Sequence, residues 1–234
     1  MKSPAAHSPL SSCFPLRTPA GGGVQLLAGR AVLVTGEGAE PWLVVADVHL
    51  GKSATFRARG LAVPEGDTAQ DLKALLNLVR RHEPARLVVN GDLFHAPAGI
   101  TPELEDEVSH FVEALGIPLT LVTGNHDAKI QKLPSGVEGA PILEHGGGVR
   151  LIHDPAEVAG DAFHITGHWH PVVRIADGKR TSLRLPCFLL RGQNLILPSF
   201  GSFTGGAMMR PEAGDRFFVA PGERVIEVPE SLLR

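Results

Sequence analysis

The chain has 234 residues, of which 43% are hydrophobic and 20% charged, a mixture that supports one sizeable core and excludes a wholly disordered polymer. A formal charge of −3 excludes the overall basic excess of a non-specific nucleic-acid coat, so any polyanionic partner has to be held locally. Cys13 in a Pro/Ser-rich segment and Cys187 in an apolar run do not suggest a disulfide framework; with no apolar run of the ~18–20 residues that span a bilayer and no signal-peptide pattern, the expectation is a soluble, cytoplasmic protein without a membrane partner.

Residues 1–22, rich in Pro, Ser, Ala and Gly, read as a flexible leader, and residues 23–234 as a single domain. VQLL and AVLVT flank Ala28-Gly29-Arg30 as a predicted hairpin, and WLVVADVHL is an apolar strand running into a polar end, as in a sheet buried on both faces. From Asp67 to His82, Leu72, Leu75, Leu76 and Val79 recur at helical spacing, with Asp67 in the N-cap position and Arg80 and Arg81 in the last turn. RLVVNGD is the next buried strand. A second helix, from Pro102 to Leu115, has Thr101 as its cap, and PLTLVTGNHD again runs from strand to polar tip. This alternation predicts a parallel sheet whose site lies beyond the carboxyl ends of its strands. In the second half, VRLIHD, AFHITGHWH, VVRIA, CFLLRG, NLILPSF, RFFVA and RVIEV are short β-like runs separated by turn residues, predicting a mostly antiparallel second sheet. The expected fold class is α/β, with two β-sheets face to face, helices outside them, a parallel-rich first half and an antiparallel second half.

Chemistry-bearing residues recur at strand ends. They are Asp47-Val48-His49, Gly91-Asp92, Gly124-Asn125-His126-Asp127, His153-Asp154 and Gly167-His168-Trp169-His170. On an extended segment two residues separated by one point to the same side, so Asp47 with His49, and His168 with His170, are each predicted to present two ligand atoms to one place, and Trp169 to point away into packing. The glycines permit a sharp departure from the strand and close backbone approach. His145 and His164 compete with His153 for the place of a lone histidine ligand. His153 is preferred because it ends a β-like run, whereas His145 precedes a Gly triplet and His164 reads as structural.

These motifs resemble the calcineurin-like metallophosphoesterase superfamily, with its DxH, GDxxD, GNH[D/E], lone His and GHxH pattern, over roughly residues 42–205. The resemblance implies a binuclear metal-dependent phosphoesterase, with one metal held by Asp47, His49 and His170, the other by Asn125, His153 and His168, and Asp92 bridging both. It also implies that His126 stands beside the leaving group. One departure is His95, where the family pattern has its second Asp; His95 is open to either a supporting or a direct substrate-contacting role.

A mixed imidazole, carboxylate and amide set is too nitrogen-rich for Mg²⁺ or Ca²⁺, and without thiolates it is no structural zinc site. Mn²⁺, Fe²⁺ or Zn²⁺ is indicated, and the resemblance together with neutral Asn125 favours Mn²⁺. Two such ions sharing a carboxylate can support in-line displacement at phosphorus. Asp127 is a candidate carboxylate partner for His126 as general acid.

The segments ADVHLGKSATFRARGLAVPEGDT and LPSFGSFTGG resemble a narrower branch, the ligase-associated DNA-damage-response endonucleases (PdeM-like). That likeness implies Mn-dependent cleavage of single-stranded or unpaired DNA in repair, in association with a helicase and a DNA ligase. Lys52, Arg57 and Arg59 form a predicted basic rim for a phosphate backbone, with a solvated loop as the alternative. Phe56, Phe200 and Phe203 are open to base stacking or to core packing. The competing enzyme reading is a small-molecule nucleotide or lipid-precursor phosphodiesterase, which needs a closed pocket; a metal-binding scaffold is disfavoured by retention of His126 and every ligand.

Overall fold

A computed structural model describes residues 13–176 and 182–233. The first sheet takes β1 (Cys13–Arg17), β2 (Gly23–Leu27), β3 (Ala31–Gly36), β4 (Ala39–Val45), β5 (Arg86–Asn90), β6 (Leu119–Val122) and β7 (Val137–Ala140), side by side in that order. The pairings from β1 to β4 are antiparallel and those from β4 to β7 parallel. Three helices are inserted between strands of this sheet: α1 (Lys52–Ala58), α2 (Asp67–His82) and α3 (Pro102–Leu115).

The second sheet contains β8 (Leu143–His145), β9 (Val149–Leu151), β10 (Phe163–Thr166), β11 (Pro171–Ala176), β12 (Ser182–Arg191), β13 (Asn194–Ile196), β14 (Ala207–Met208), β15 (Arg216–Val219) and β16 (Ile226–Glu227). Its order is β14-β11-β12-β13-β10-β9-β8, with β15 also on β12 and β16 on β15. It is mostly antiparallel, as expected, but β10 runs parallel to β9 and β13, and β11 to β14.

The alternation of side chains along each central strand divides the core into layers. On β4 and β5, Leu43, Val45, Leu87 and Val89 face the helices, joining Leu72, Leu75, Val79, Val108 and Phe111. The neighbouring Val44 and Val88 face the other way and meet Leu151, Phe163, Ile165, Phe188 and Phe218 of the second sheet. A third layer around Cys187, Leu189 and Phe217 covers the far side of the second sheet, where burial pushes the Cys187 thiol up.

Two expectations are corrected. The predicted leader is shorter, because Cys13–Arg17 forms β1 at the sheet edge, with Leu16 buried and Phe14 against Phe218 at 4.8 Å; Pro15 is tolerated where the ladder has only one neighbour. Residues 1–12, including His7, lie outside the described residues. Asp67 is not the cap of α2: Gly66 holds that place in a left-handed conformation, and the Asp67 carboxylate accepts the Ser53 hydroxyl at 2.6 Å. Thr101, by contrast, caps α3 through the Leu104 amide. No described helix is long and apolar enough to cross a membrane.

Candidate active site

The clusters read from the sequence meet beyond the ends of β4, β5, β6, β9 and β10. They converge by a different route from the one predicted. Asp47, His49, Asp92, His168 and His170 all have positive φ, between 46° and 67°, so neither Asp47-Val48-His49 nor His168-Trp169-His170 is an extended segment. Left-handed backbone costs a non-glycine residue roughly 1–2 kcal/mol. Its recurrence at five candidate ligands marks a conformation imposed by the fold for the sake of where those side chains point. Of the residues between, Trp169 packs as predicted, against the outer layer with the Arg191 guanidinium 5.9 Å from its ring, and Val48 is buried in the helix-side core.

The glycines clear room for ligand side chains. A Cβ on Gly91, whose φ is +87°, would collide with the His153 ring, and one on Gly124 would collide with the Asp92 carboxylate.

Among the described residues three groups of three ligand atoms form, each within 4.8 Å of one another: Asp47, His49 and His170; Asp92, His153 and His168; and an all-histidine group of His49, His95 and His126. Asn125 lies beside the second group, its Oδ1 3.0 Å from His168 Nδ1. Asp92 stands between the first two. Its Oδ2 is 3.9 Å from His49 Nε2 and 3.5 Å from His153 Nε2, while its Oδ1 accepts the His126 amide at 2.9 Å.

Hydrogen bonds on the far side of the rings set their tautomers. A carbonyl only accepts, so His153 donates from Nδ1 to Asn90 O at 2.9 Å, and His170 from Nδ1 to Gly205 O at 3.2 Å. Each therefore turns Nε2 inward. The His170 Nε2 lies 3.4 Å from His49 Nε2 and 3.0 Å from an Asp47 oxygen, and the buried His153 Nε2 has no hydrogen-bond partner. Lone pairs and carboxylates converging on shared points, with an orphaned buried nitrogen among them, are what a divalent cation satisfies. The residues fit two such ions.

The charge balance agrees. Burial holds His49 neutral, down to about 3, with Asp92 opposing and His170, Lys52 and His126 assisting, which leaves a lone pair free for a metal. Burial works against the ionised His153, but the Asp92 carboxylate 3.5 Å from its Nε2 and the charge of Asp47 overcome it and raise its pKa. The Asp92 carboxyl is correspondingly lowered, because His153 and the His126 amide outweigh its burial.

His126 lies at the open side, its Nε2 4.0 Å from Asp92 Oδ2. Its Nδ1 donates to the His95 carbonyl, so Nε2 faces the site. The expected pairing with Asp127 is corrected: the Asp127 carboxylate accepts the amides of Asp92 at 2.6 Å, Phe94 at 3.1 Å and Gly124 at 3.1 Å. It ties the tips of β5 and β6 together, and burial raises its pKa to about 6 against those bonds.

The His95 ring stacks on His126 with centroids 5.0 Å apart, meets Phe56 edge-on at 5.8 Å, and brings its Nδ1 within 3.4 Å of His49 Nδ1. Burial, then the charges of Lys52, His126 and Arg59, depress it to about 4. Lys52 and Phe56, one turn apart on α1, are thus turned to the site, with Arg59 at the helix C-cap beside them. Arg57 does not belong to that rim. It faces the following loop, bonding Pro64 O at 3.3 Å and pairing with Glu65 at 3.4 Å. Of the competing histidines, His145 bonds Glu40 O between the sheets and His164 is buried within β10; neither joins these ligand groups. Phe200 is core, while Phe203 is 39% exposed.

Two supporting residues escaped the sequence reading. Asn90 donates to Ile152 O and Ile165 O, at 3.1 and 2.9 Å, clamping the second sheet's ends to β5 while its carbonyl orients His153; an amide closing the apolar run RLVVN was its signal. Asp71, on the buried face of α2, binds the Ser202 amide through both oxygens at 3.1 Å. A carboxylate four residues before Leu75, on the apolar stripe, was the cue.

Comparison with known proteins is consistent with this geometry. The family model described as calcineurin-like phosphoesterase matches residues 41–187. The crystal structure of the nuclease MPE of Pseudomonas putida superposes with a TM-score of 0.75 at 29% identity, covering 92% of this chain and 100% of that one. Yfce, a phosphoesterase from E. coli, gives a TM-score of 0.41 at 18% identity over 80% of this chain and 97% of its own. No curated protein matches the chain in sequence.

Proposed function

The chain belongs to the calcineurin-like phosphoesterase family and is a metal-dependent phosphoesterase, and from that premise we propose that it cleaves phosphodiester bonds in single-stranded or unpaired DNA with Mn²⁺ as its ion. The observation that carries the reading is the convergence of Asp47, His49 and His170 beside Asp92, His153 and His168. Asp47, His49 and His170 would hold one ion and Asn125, His153 and His168 the other, with Asp92 shared. Bound divalent ions supply neutralisation of the phosphate oxygens and an acidified water. The balance of imidazole with carboxylate and amide oxygens suits Mn²⁺.

The chain's own groups do the rest. With Nδ1 donating to the His95 carbonyl, the doubly protonated form of His126 would pass a proton from Nε2, on the side that faces Asp92, to the departing oxygen. Lys52 and Arg59, whose charges bear on His95, guide a phosphate backbone into a protein that is acidic overall. The cavity of about 620 Å³ beside α1 is lined by Ser53, Arg57, Glu65, Asp67 and their neighbours and by no candidate ligand, so it gives the small-molecule reading no support. Likeness to a nuclease over 92% of this chain supports the polymer, and the branch resemblance extends the proposal to repair beside a helicase and a ligase.

The test is nicking of circular single-stranded DNA with Mn²⁺, with bis-p-nitrophenyl phosphate alongside. Conversion of the circle to linear fragments is expected. Hydrolysis of the small diester with the circle left intact would transfer the assignment to a small-molecule phosphodiesterase.

A further inference from the structure

A row of rings leads away from the candidate ligands. His126 stacks on His95 at 5.0 Å, His95 meets the edge of Phe56 at 5.8 Å, and Phe56 meets Phe203 at 5.9 Å with the planes 73° apart. The last ring is the exposed one, Phe203 at 39%. Apolar exposure of this kind on a slack loop would be unremarkable, because the ring could turn inward. This loop is tied down. Phe200 N donates to Ala46 O at 2.8 Å, Gly201 N to Asp47 O at 3.2 Å, Ser202 N to both oxygens of buried Asp71, and Gly205 O receives the His170 ring. The backbone on either side of Phe203 is thus bonded to the residues that carry candidate ligands, and its ring is presented beside the site at a set position. The charges of Lys52, in the first turn of α1, and Arg59, at its C-cap, bear on His95 in the same row, placing cations where a backbone phosphate accompanies a base.

We propose that Phe203, backed by Phe56, is a stacking platform for an unpaired base next to the phosphate being cut. The assignment rests on the nucleic-acid reading above and goes further, since it names which residue engages the base and why the strand has to be single. A paired base has both faces covered by its neighbours in the stack, whereas an unpaired one can offer a face to Phe203. Stacking of this kind is indifferent to base identity, so the platform selects for strandedness rather than sequence.

The experiment uses a single-stranded oligonucleotide with one cleavable phosphodiester, and a series of the same oligonucleotide with one abasic nucleotide at successive positions around it. Phe203→Ala should lower the ratio of DNA cleavage to bis-p-nitrophenyl phosphate hydrolysis by ~10- to 100-fold, from the usual worth of one base on one aromatic. Phe203→Trp should restore that ratio and Phe203→Leu should not. At one abasic position the parent should lose activity to the same extent, and Phe203→Ala should add no further loss there. Restoration by Leu, or equal additional loss from Phe203→Ala at every abasic position, would overturn the platform while leaving the nuclease reading intact. A parent protein that hydrolyses the small diester and cuts none of the oligonucleotides would overturn the nuclease reading and the platform with it.

Discussion

Asp127→Asn discriminates between two roles for one carboxylate. In the structure Asp127 Oδ2 accepts the amides of Asp92 and Gly124, and Oδ1 that of Phe94. An asparagine has the same outline but one oxygen. If that oxygen keeps Asp92 and Gly124, its NH₂ faces the Phe94 amide; the opposite orientation abandons two donors. At least one buried donor is orphaned, at a cost of about 1–3 kcal/mol, which for a chain of this length corresponds to roughly 2–4 °C in Tm per kcal/mol. The backbone of Asp92 also shifts, so DNA cleavage and p-nitrophenyl ester hydrolysis should fall together. The pH dependence has a definite sign. Burial raises Asp127 to about 6 in the fold, above the unfolded value of about 3.9, so its favourable contribution is complete below about pH 4 and lost as pH rises to about 6, a fall of about 3 kcal/mol. Asparagine does not titrate, and that part of the decline should vanish. Thermal denaturation of ion-free protein from pH 4 to 8, with both kinetic assays, measures all of this. Unchanged stability together with a loss confined to DNA would refute the reasoning and return Asp127 to proton transfer with His126.

His126→Ala should retain both ions, because the Asp92 oxygen is held by the backbone amide of His126, and should cost roughly 10² to 10⁴ in rate on DNA but far less on p-nitrophenyl esters, whose leaving group departs without a proton; equal losses would remove the acid role. Metal binding should expel the proton held on His153, so titration calorimetry near neutral pH in buffers of different ionisation enthalpy should report release of about one proton per chain, and affinity should rise with pH; heats independent of the buffer would contradict this. Gly91→Ala should displace the His153 ring, and its metal content, read by elemental analysis, should fall even if the protein folds; a full complement would show that His153 is not a ligand.

The family motifs and both long helices were legible because each depends on local pattern. Thr101 and Pro102 announce the start of α3, and Leu72, Leu75 and Val79 announce the buried face of α2. The left-handed backbone at Asp47, His49, His168 and His170 was not legible, since it is strain that the packed sheets impose and no residue in those segments prefers it. Tertiary partners were hidden for a related reason. Asp127 stands beside no recognisable set of donors in sequence, because the amides it accepts lie on two different strand ends, and Arg57 and Arg59 differ in role because the first, in the last turn of α1, pairs with the following loop while the second is the helix C-cap. Asn90 and Asp71 looked like interruptions of apolar runs until the groups they bond, from Ile152 to Ser202, were brought beside them.

The most direct measurement is anomalous diffraction at the manganese edge from crystals of the protein loaded with Mn²⁺. The account predicts two peaks, one among Asp47, His49 and His170 and the other among Asn125, His153 and His168, with Asp92 touching both. A single peak, or occupancy instead of the third cluster of close nitrogens formed by His49, His95 and His126, would contradict it.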